Sequence, residues 1–205
     1  MTSVSNSQQL IYRAAMQLFA ERGATQINIK DLAQAAGVAR GTVYNNLSHP
    51  EQLFDDVAAN LALEMNERVI RSFGDIDDPA LRLATGIRLY VRRAHDDPPW
   101  GRFLSRFGFS VISLQDLWNA QPLHDLQAGI ESGHYSIRRE QLVSAVSFVA
   151  GTTLGAVFLV LEGIKTWREA GSDAAELTLV SLGLPRHQAR SLSTADLPAL
   201  AAPDQ

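Results

Sequence analysis

The sequence predicts an all-α fold, a three-helix head on a larger helical body. Apolar residues recur at three-and-four spacing along nearly the whole chain, as on amphipathic helices, and strand-like signals are few. These stretches are separated by Gly23, Gly37, Gly74, Pro79, Pro98–Pro99, Gly133, Gly183 and Pro185. Gly and Pro are the residues that end one helix and open the next.

The first helix carries Leu10, Ile11, Ala14, Ala15, Leu18 and Phe19 on one face and stops at Gly23. A second is predicted over Ile29–Ala36 with Leu32 and Ala33 inward, and a third over Ala39–Leu47 with Val43 and Leu47 inward. The fourth starts near Pro50, where Pro suits a first helical turn and Glu51 suits the positive end of the helix dipole. Leu53, Val57, Leu61, Met65 and Val69 continue it at four-residue spacing. Gly74, Asp77, Asp78 and Pro79 then separate head from body. The body reads as helices over Pro79–His95, Trp100 to about Leu117, Pro122–Glu131, Arg138–Gly163 and Ser172–Leu182. The implied division is a head over 5–65, a body over 75–192 and a flexible tail over 193–205, expected to fray around Pro198 and Pro203.

The 205 residues are 46% hydrophobic, an ordinary globular share that argues against disorder. There is no Cys, which removes disulfides, thiolate metal sites and a Cys nucleophile. Met1–Gln9 is polar, with neither the basic start nor the apolar core of a signal peptide, so a soluble cytoplasmic protein is expected. Charge is uneven: residues 1–50 hold four cations (Arg13, Arg22, Lys30, Arg40) against Glu21 and Asp31, while the remainder holds 14 cations against 20 anions. Any polyanion contact therefore belongs to the head. Leu142–Leu161 runs twenty residues without a charge, and its Gly151 and Gly155 have the small-xxx-small spacing of close helix packing. Ser144, Ser147, Thr152 and Thr153 argue for a core and interface helix over a membrane span, and no membrane partner is expected.

Residues 28–47 contain two short helices joined by a tight corner. Gly37 supplies the left-handed backbone such a corner needs, Ala35 and Ala36 let the helices approach, and Val38 anchors the turn. The second helix offers Arg40, Gly41, Thr42, Tyr44, Asn45 and Asn46, small and donor-rich. Asn matches the hydrogen-bonding edge of adenine, Arg that of guanine, and hydroxyls suit phosphates.

Here the chain resembles the TetR family of bacterial transcriptional regulators. The match runs from Ile11, Ala14–Ala15, Leu18–Phe19 and Glu21–Gly23 through Ile29, Asp31–Ala33, Ala36–Val38 and Gly41–Tyr44 to Leu47 and Glu51–Leu53, about 45 contiguous residues. Leu182–Pro185 followed by a short helix is similar to the endings of many members. The resemblance implies a helix-turn-helix DNA-binding head (motif 28–47) on an effector-binding and dimerisation body. It makes residues 39–47 the recognition helix, with Arg40, Gly41 and Thr42 in the major groove and Asn45 and Asn46 nearby. Tyr44 and Lys30 would touch the DNA backbone. Three positions depart from the family pattern: Ala39 where Ser or Thr often caps the helix, Asn46–Leu47 where His-Phe is usual, and Pro50 where a Lys is usual. One phosphate contact is thereby lost, partly replaceable by His49, and with so few cations weak non-specific affinity is expected.

The resemblance further implies a homodimer on a palindromic double-stranded operator, and most often a repressor released by a small molecule. A two-fold pair reads two half-sites where one recognition helix covers too little DNA. The expected interface is Phe148, Gly151, Thr152, Gly155, Phe158 and Leu159 of the long helix with Leu177 and Val180 of the next. An effector site is expected around Tyr90, Trp100, Phe103, Phe107 and Trp118 with His124 as a polar partner, suited to a moderately hydrophobic molecule. Tyr135 is a further polar candidate. Enzyme chemistry is not expected: His95–Asp97 reads as a helix end, the other His lack metal-ligand spacing, and there is no phosphate loop or nucleophile elbow. No metal or cofactor is called for. The alternative is a ligand-independent regulator or protein-partner adaptor of the same fold, in which the aromatics are only core.

Overall fold

The computed structural model describes residues 6–203; the expected limits at residues 5, 204 and 205 lie outside them. The chain forms α1 (Asn6–Arg22), α2 (Ile29–Ala36), α3 (Arg40–Asn46), a 3-10 turn (Pro50–Gln52), α4 (Leu53–Ser72), α5 (Pro79–Asp96), α6 (Pro98–Phe107), α7 (Ile112–Asn119), α8 (Gln121–Glu131), α9 (Leu142–Leu161), α10 (Trp167–Ser181) and α11 (Arg186–Ser193). Among the described residues there is no strand.

The head core is the inward set of four helices: Ile11, Ala15, Phe19, Leu32, Val43 and Leu47 are all buried, with Leu53 and Val57 of α4 beside them. In the body, α5 packs against α6, α8, α9, α10 and α11. That central place follows from its sequence, which is apolar on nearly every side apart from arginines. Its start is set by Asp78, whose carboxylate accepts from the Ala80 and Leu81 amides at 2.7 and 3.2 Å, ahead of Pro79 in the first turn. The apolar helix α9 lies among α5, α6, α7, α8 and α10. It is long and apolar enough to cross a membrane, yet one side is core and the other side is exposed.

Three places differ from the sequence reading. The helix expected from Trp100 to Leu117 is two, broken after Phe107 at Gly108, whose carbonyl accepts the Trp118 indole N–H at 3.0 Å. A hydrogen bond to a distant side chain fixes that corner, which local spacing could not foretell. Next, α10 starts at Trp167, because Thr166 and Glu169 form a reciprocal capping box. Finally, residues 194–203, expected to fray, are held first by α5, where Ala195 O accepts from Arg88 Nη1 at 2.7 Å, and then by α4. Ala201 O accepts from Arg68 Nε at 2.6 Å, its amide donates to Ser72 Oγ at 2.8 Å, and Ala202 O accepts from Arg71 at 2.7 Å. Leu197 and Leu200 add half-buried apolar contact.

Candidate nucleic-acid interface and body cavity

The corner between α2 and α3 is built by backbone chemistry. Asn28 caps α2 by accepting from the Lys30 amide at 2.8 Å, and Asp31 in the first turn pairs with Arg22 at 2.7 Å, tying α2 to the end of α1. Gly37 ends α2 at φ +66°, and the Val38 amide closes the turn on Ala33 O at 3.0 Å. Ala39 gives α3 no side-chain cap, so the helix is held chiefly by Val43 and Leu47 buried beneath it.

That burial decides what faces outward. Arg40, Gly41, Tyr44 and Asn45 are exposed on one side of α3, Tyr44 by 61%. Thr42 and Asn46 are half-buried, and the Asn46 amide donates to Thr42 O at 2.8 Å. Of the two asparagines, Asn45 is thus the one turned to solvent. Lys30 is exposed near the start of α2; His49 is exposed with Nδ1 3.2 Å from Glu51. The outer side of α3 carries no acidic residue, and the large half-apolar phenol of Tyr44 stands there in water.

Inside the body, α4, α5, α7, α8 and α9 enclose a narrow cavity with Val69, Phe73, Ile87, Tyr90, Trp118 and Val149 as its apolar walls. Its free interior is about 20 Å³, room for one water molecule. The polar end is Asp125, which accepts from Arg82 Nε at 2.9 Å and Gln121 Nε2 at 2.8 Å, while the Arg82 guanidinium lies 4.8 Å from the Phe73 ring centre. Burial pushes the Asp125 carboxyl above its usual range despite Arg82 and Gln121. The Tyr90 hydroxyl is buried without a hydrogen-bond partner, and burial pushes its pKa up.

The structure divides the expected effector set. Tyr90 and Trp118 line the cavity, their rings 5.5 Å apart. Trp100 backs Tyr90 at 6.0 Å under the Arg93 guanidinium. Phe103 and Phe107 do not reach the cavity: with Phe19 and Phe54 they form an aromatic cluster joining α1, α4 and α6. Their three-and-four spacing serves that packing. His124 is exposed on α8, and the Tyr135 hydroxyl is 3.3 Å from Pro79 O in the core. Asn66, Arg82, Gln121 and Asp125 were not anticipated, since they come from three helices with no local signature.

Along α9, Phe148, Gly151, Gly155 and Phe158 are exposed and Thr152 and Leu159 half-buried; on α10 Leu177 is exposed and Val180 half-buried. Phe109, exposed by 57%, leans against the same side beside Gly151, and Val143 extends it.

The two short helices joined at Gly37, with α3 turned outward, have the geometry of a helix-turn-helix head. The family described as "Bacterial regulatory proteins, tetR family" matches residues 11–57, and "Tetracyclin repressor-like, C-terminal domain" matches residues 78–194. The chain belongs to the TetR family, whose members are DNA-binding transcription factors and not enzymes. It is 30% identical over 124 residues to the HTH-type transcriptional repressor Rv3405c of Mycobacterium tuberculosis, covering 60% of this chain and 65% of that protein. An uncharacterized HTH-type regulator of the same species, Rv1255c, is 28% identical over 88 residues. The second match covers 43% of this chain, so the chain spans between 44% and 65% of the length of these curated relatives. Among solved structures, RolR in complex with resorcinol has a TM-score of 0.71 at 25% identity, covering 95% of this chain and 96% of that one. The fatty acid degradation regulator FadR from Bacillus halodurans shares the fold, with a TM-score of 0.73 at 18% identity, covering 90% of this chain and 100% of that one.

Proposed function

We propose that this protein is a dimeric repressor that binds a palindromic operator through α3 and leaves it when a small molecule occupies the body cavity. The observation that carries this reading is the acid-free outer side of α3, presented on two buried anchors. Arg40, Gly41, Thr42 and Asn45 read base edges in the major groove, with Asn46 supporting the helix from within. Tyr44, Lys30 and His49 hold the phosphate backbone. Residues 5–65 act as the DNA-binding head and 75–192 as the effector-binding and dimerisation body, working in the cytoplasm. The dimer forms through Phe148, Gly151, Thr152, Gly155, Phe158 and Leu159 of α9 with Leu177 and Val180 of α10, joined by Phe109. Selection of bound fragments from a genomic library, with wild type and Tyr44→Ala compared, tests this directly. A palindromic motif enriched by wild type and lost in the variant is expected; equal enrichment by both would remove α3 from the interface.

For the effector, apolar walls with the Tyr90 hydroxyl and the Arg82–Asp125–Gln121 group suit a small, flat, largely apolar molecule bearing hydroxyls. The resorcinol held by RolR is of that kind. Room for one water means that binding must push the helices apart, and the displaced α4 changes the spacing of the two heads. The narrowness also favours a second reading, a ligand-independent regulator in which these side chains are only core. Thermal shift with resorcinol and related phenols separates the two. Stabilisation in wild type and its loss in Tyr90→Phe supports the effector reading, and no shift with any phenol supports the second.

A further inference from the structure

Arg106, in the last turn of α6, does something that neither operator contact nor the cavity accounts for. Its Nη1 donates to the backbone carbonyls of Ala20 at 2.8 Å and Glu21 at 3.3 Å. Those carbonyls belong to the last turn of α1, where acceptors have no partner within their own helix and the dipole favours a cation. A body residue therefore caps a head helix. Gly23 makes room for it: the residue sits at φ +66°, and a Cβ there would lie 2.9 Å from the guanidinium carbon. The same groove is bounded by Phe158, Leu161 and Glu162 at the end of α9. Arg106 thus stands where the head, α6 and the end of the proposed dimer helix meet.

We propose that Arg106 is a positioning residue that sets the angle of the head on the body, and through it the half-site spacing the dimer accepts. The lever is long. The 20 residues of α4 span about 30 Å, so a tilt of about 10° moves the far end by about 5 Å. Successive base pairs are about 3.4 Å apart, so that motion is worth one to two base pairs of spacing. The Phe19–Phe54–Phe103–Phe107 cluster supplies apolar contact between head and body but no direction, whereas one cationic nitrogen held between two successive helix-end carbonyls fixes where the end of α1 sits on α6. Because Arg106 is itself exposed, removing it leaves both cores intact.

The proposal rests on the dimeric operator reading, and the experiment separates the two. Affinity is measured for the full-length protein on the selected operator, on versions with the half-sites one to three base pairs closer or farther apart, and on a single half-site. Wild type is expected to show one preferred spacing, and Arg106→Ala to bind all spacings within about threefold of each other while keeping its half-site affinity and melting temperature. Arg106→Lys, which keeps a cation and a donor, retains the optimum. A sharp, unshifted optimum in Arg106→Ala overturns the proposal alone, as does uniform weakening at every spacing with loss of stability. Absence of any optimum in wild type overturns the operator reading and the proposal with it.

Discussion

Glu64 and Asp125 are both largely buried carboxylates beside arginines, yet their environments move them in opposite directions. Glu64 accepts from Arg93 at 2.8 and 3.2 Å and from Arg68 at 2.8 Å. Burial works against its charge, but Arg93 and Arg68 together outweigh that and hold the carboxyl below its usual range. Its contribution to stability is therefore present above the ordinary carboxylate pKa and lost as pH falls through the depressed one. Glu64→Gln is expected to cost about 1–3 kcal/mol at pH 7, since it leaves the Arg93 side chain, only 9% exposed, short of its anion. The gap should stay open through the ordinary carboxylate range and close only as pH falls through the depressed folded pKa, where wild type is protonated too. Asp125 has one arginine, and burial wins. With a raised pKa, its favourable share is present at low pH and lost as pH rises through the folded value. The difference between Asp125→Asn and wild type should thus move in the variant's favour as pH rises from the ordinary carboxylate range through the raised folded pKa. Urea unfolding of both variants across that range checks the two signs; a common sign would show that the number of arginines does not decide the matter.

At the scale of elements, the tail along α4 invites the next test. Arg68, Arg71 and Ser72 hold it on one side of the helix, while Asn66, Val69 and Phe73 of the same helix face the cavity. A chain ending at Thr194 loses these hydrogen bonds and the apolar contact of Leu197 and Leu200. Each hydrogen bond contributes about 0.5–1.5 kcal/mol, offset by the freedom the tail regains, so a fall in melting temperature of about 5 °C is expected. An unchanged melting curve would mean that the tail adds nothing to the hold on α4. This element also marks the limit of what the sequence disclosed. Helices α1 to α5 follow from local periodicity, caps and breakers, which is why Arg40, Gly41, Tyr44 and Asn45 could be placed outward from spacing, whereas Thr42 and Asn46, read as outward with them, are half-buried. The tail could not, because its Pro and polar residues read as loop and its partners lie some 130 positions away. The same holds for the cavity's polar end, where Arg82 and Asp125 meet from 43 residues apart. Thr166 and Glu169 have the spacing of a capping box, yet the sequence reading began that helix at Ser172; the Phe103–Phe107 spacing was legible as a helix face though not as to which neighbour it meets.

For the whole molecule, the exposed side of α9 and α10 has to be reconciled with solubility. Val143, Phe148, Phe158 and Leu177 are between 46% and 77% exposed, and Phe109, itself exposed by 57%, lies beside Gly151 of α9, so α9 and α10 leave several large apolar side chains in water. Monomers rarely leave such a surface in water, and a second copy would bury it. Phe148→Glu tests this with one change, since a two-fold interface receives every substitution twice and each carboxylate would have to lose its water. The variant should sediment as a monomer with unchanged helical content. Operator affinity should fall to that of a single head, and the salt dependence supplies an independent measure. The logarithm of affinity falls with the logarithm of salt concentration by about 0.9 per phosphate neutralised, so losing one head should halve the slope. A dimer that persists in Phe148→Glu would move the interface elsewhere. A monomer that keeps the full slope would mean that one head makes all the phosphate contacts, and the palindromic reading would fail at that point.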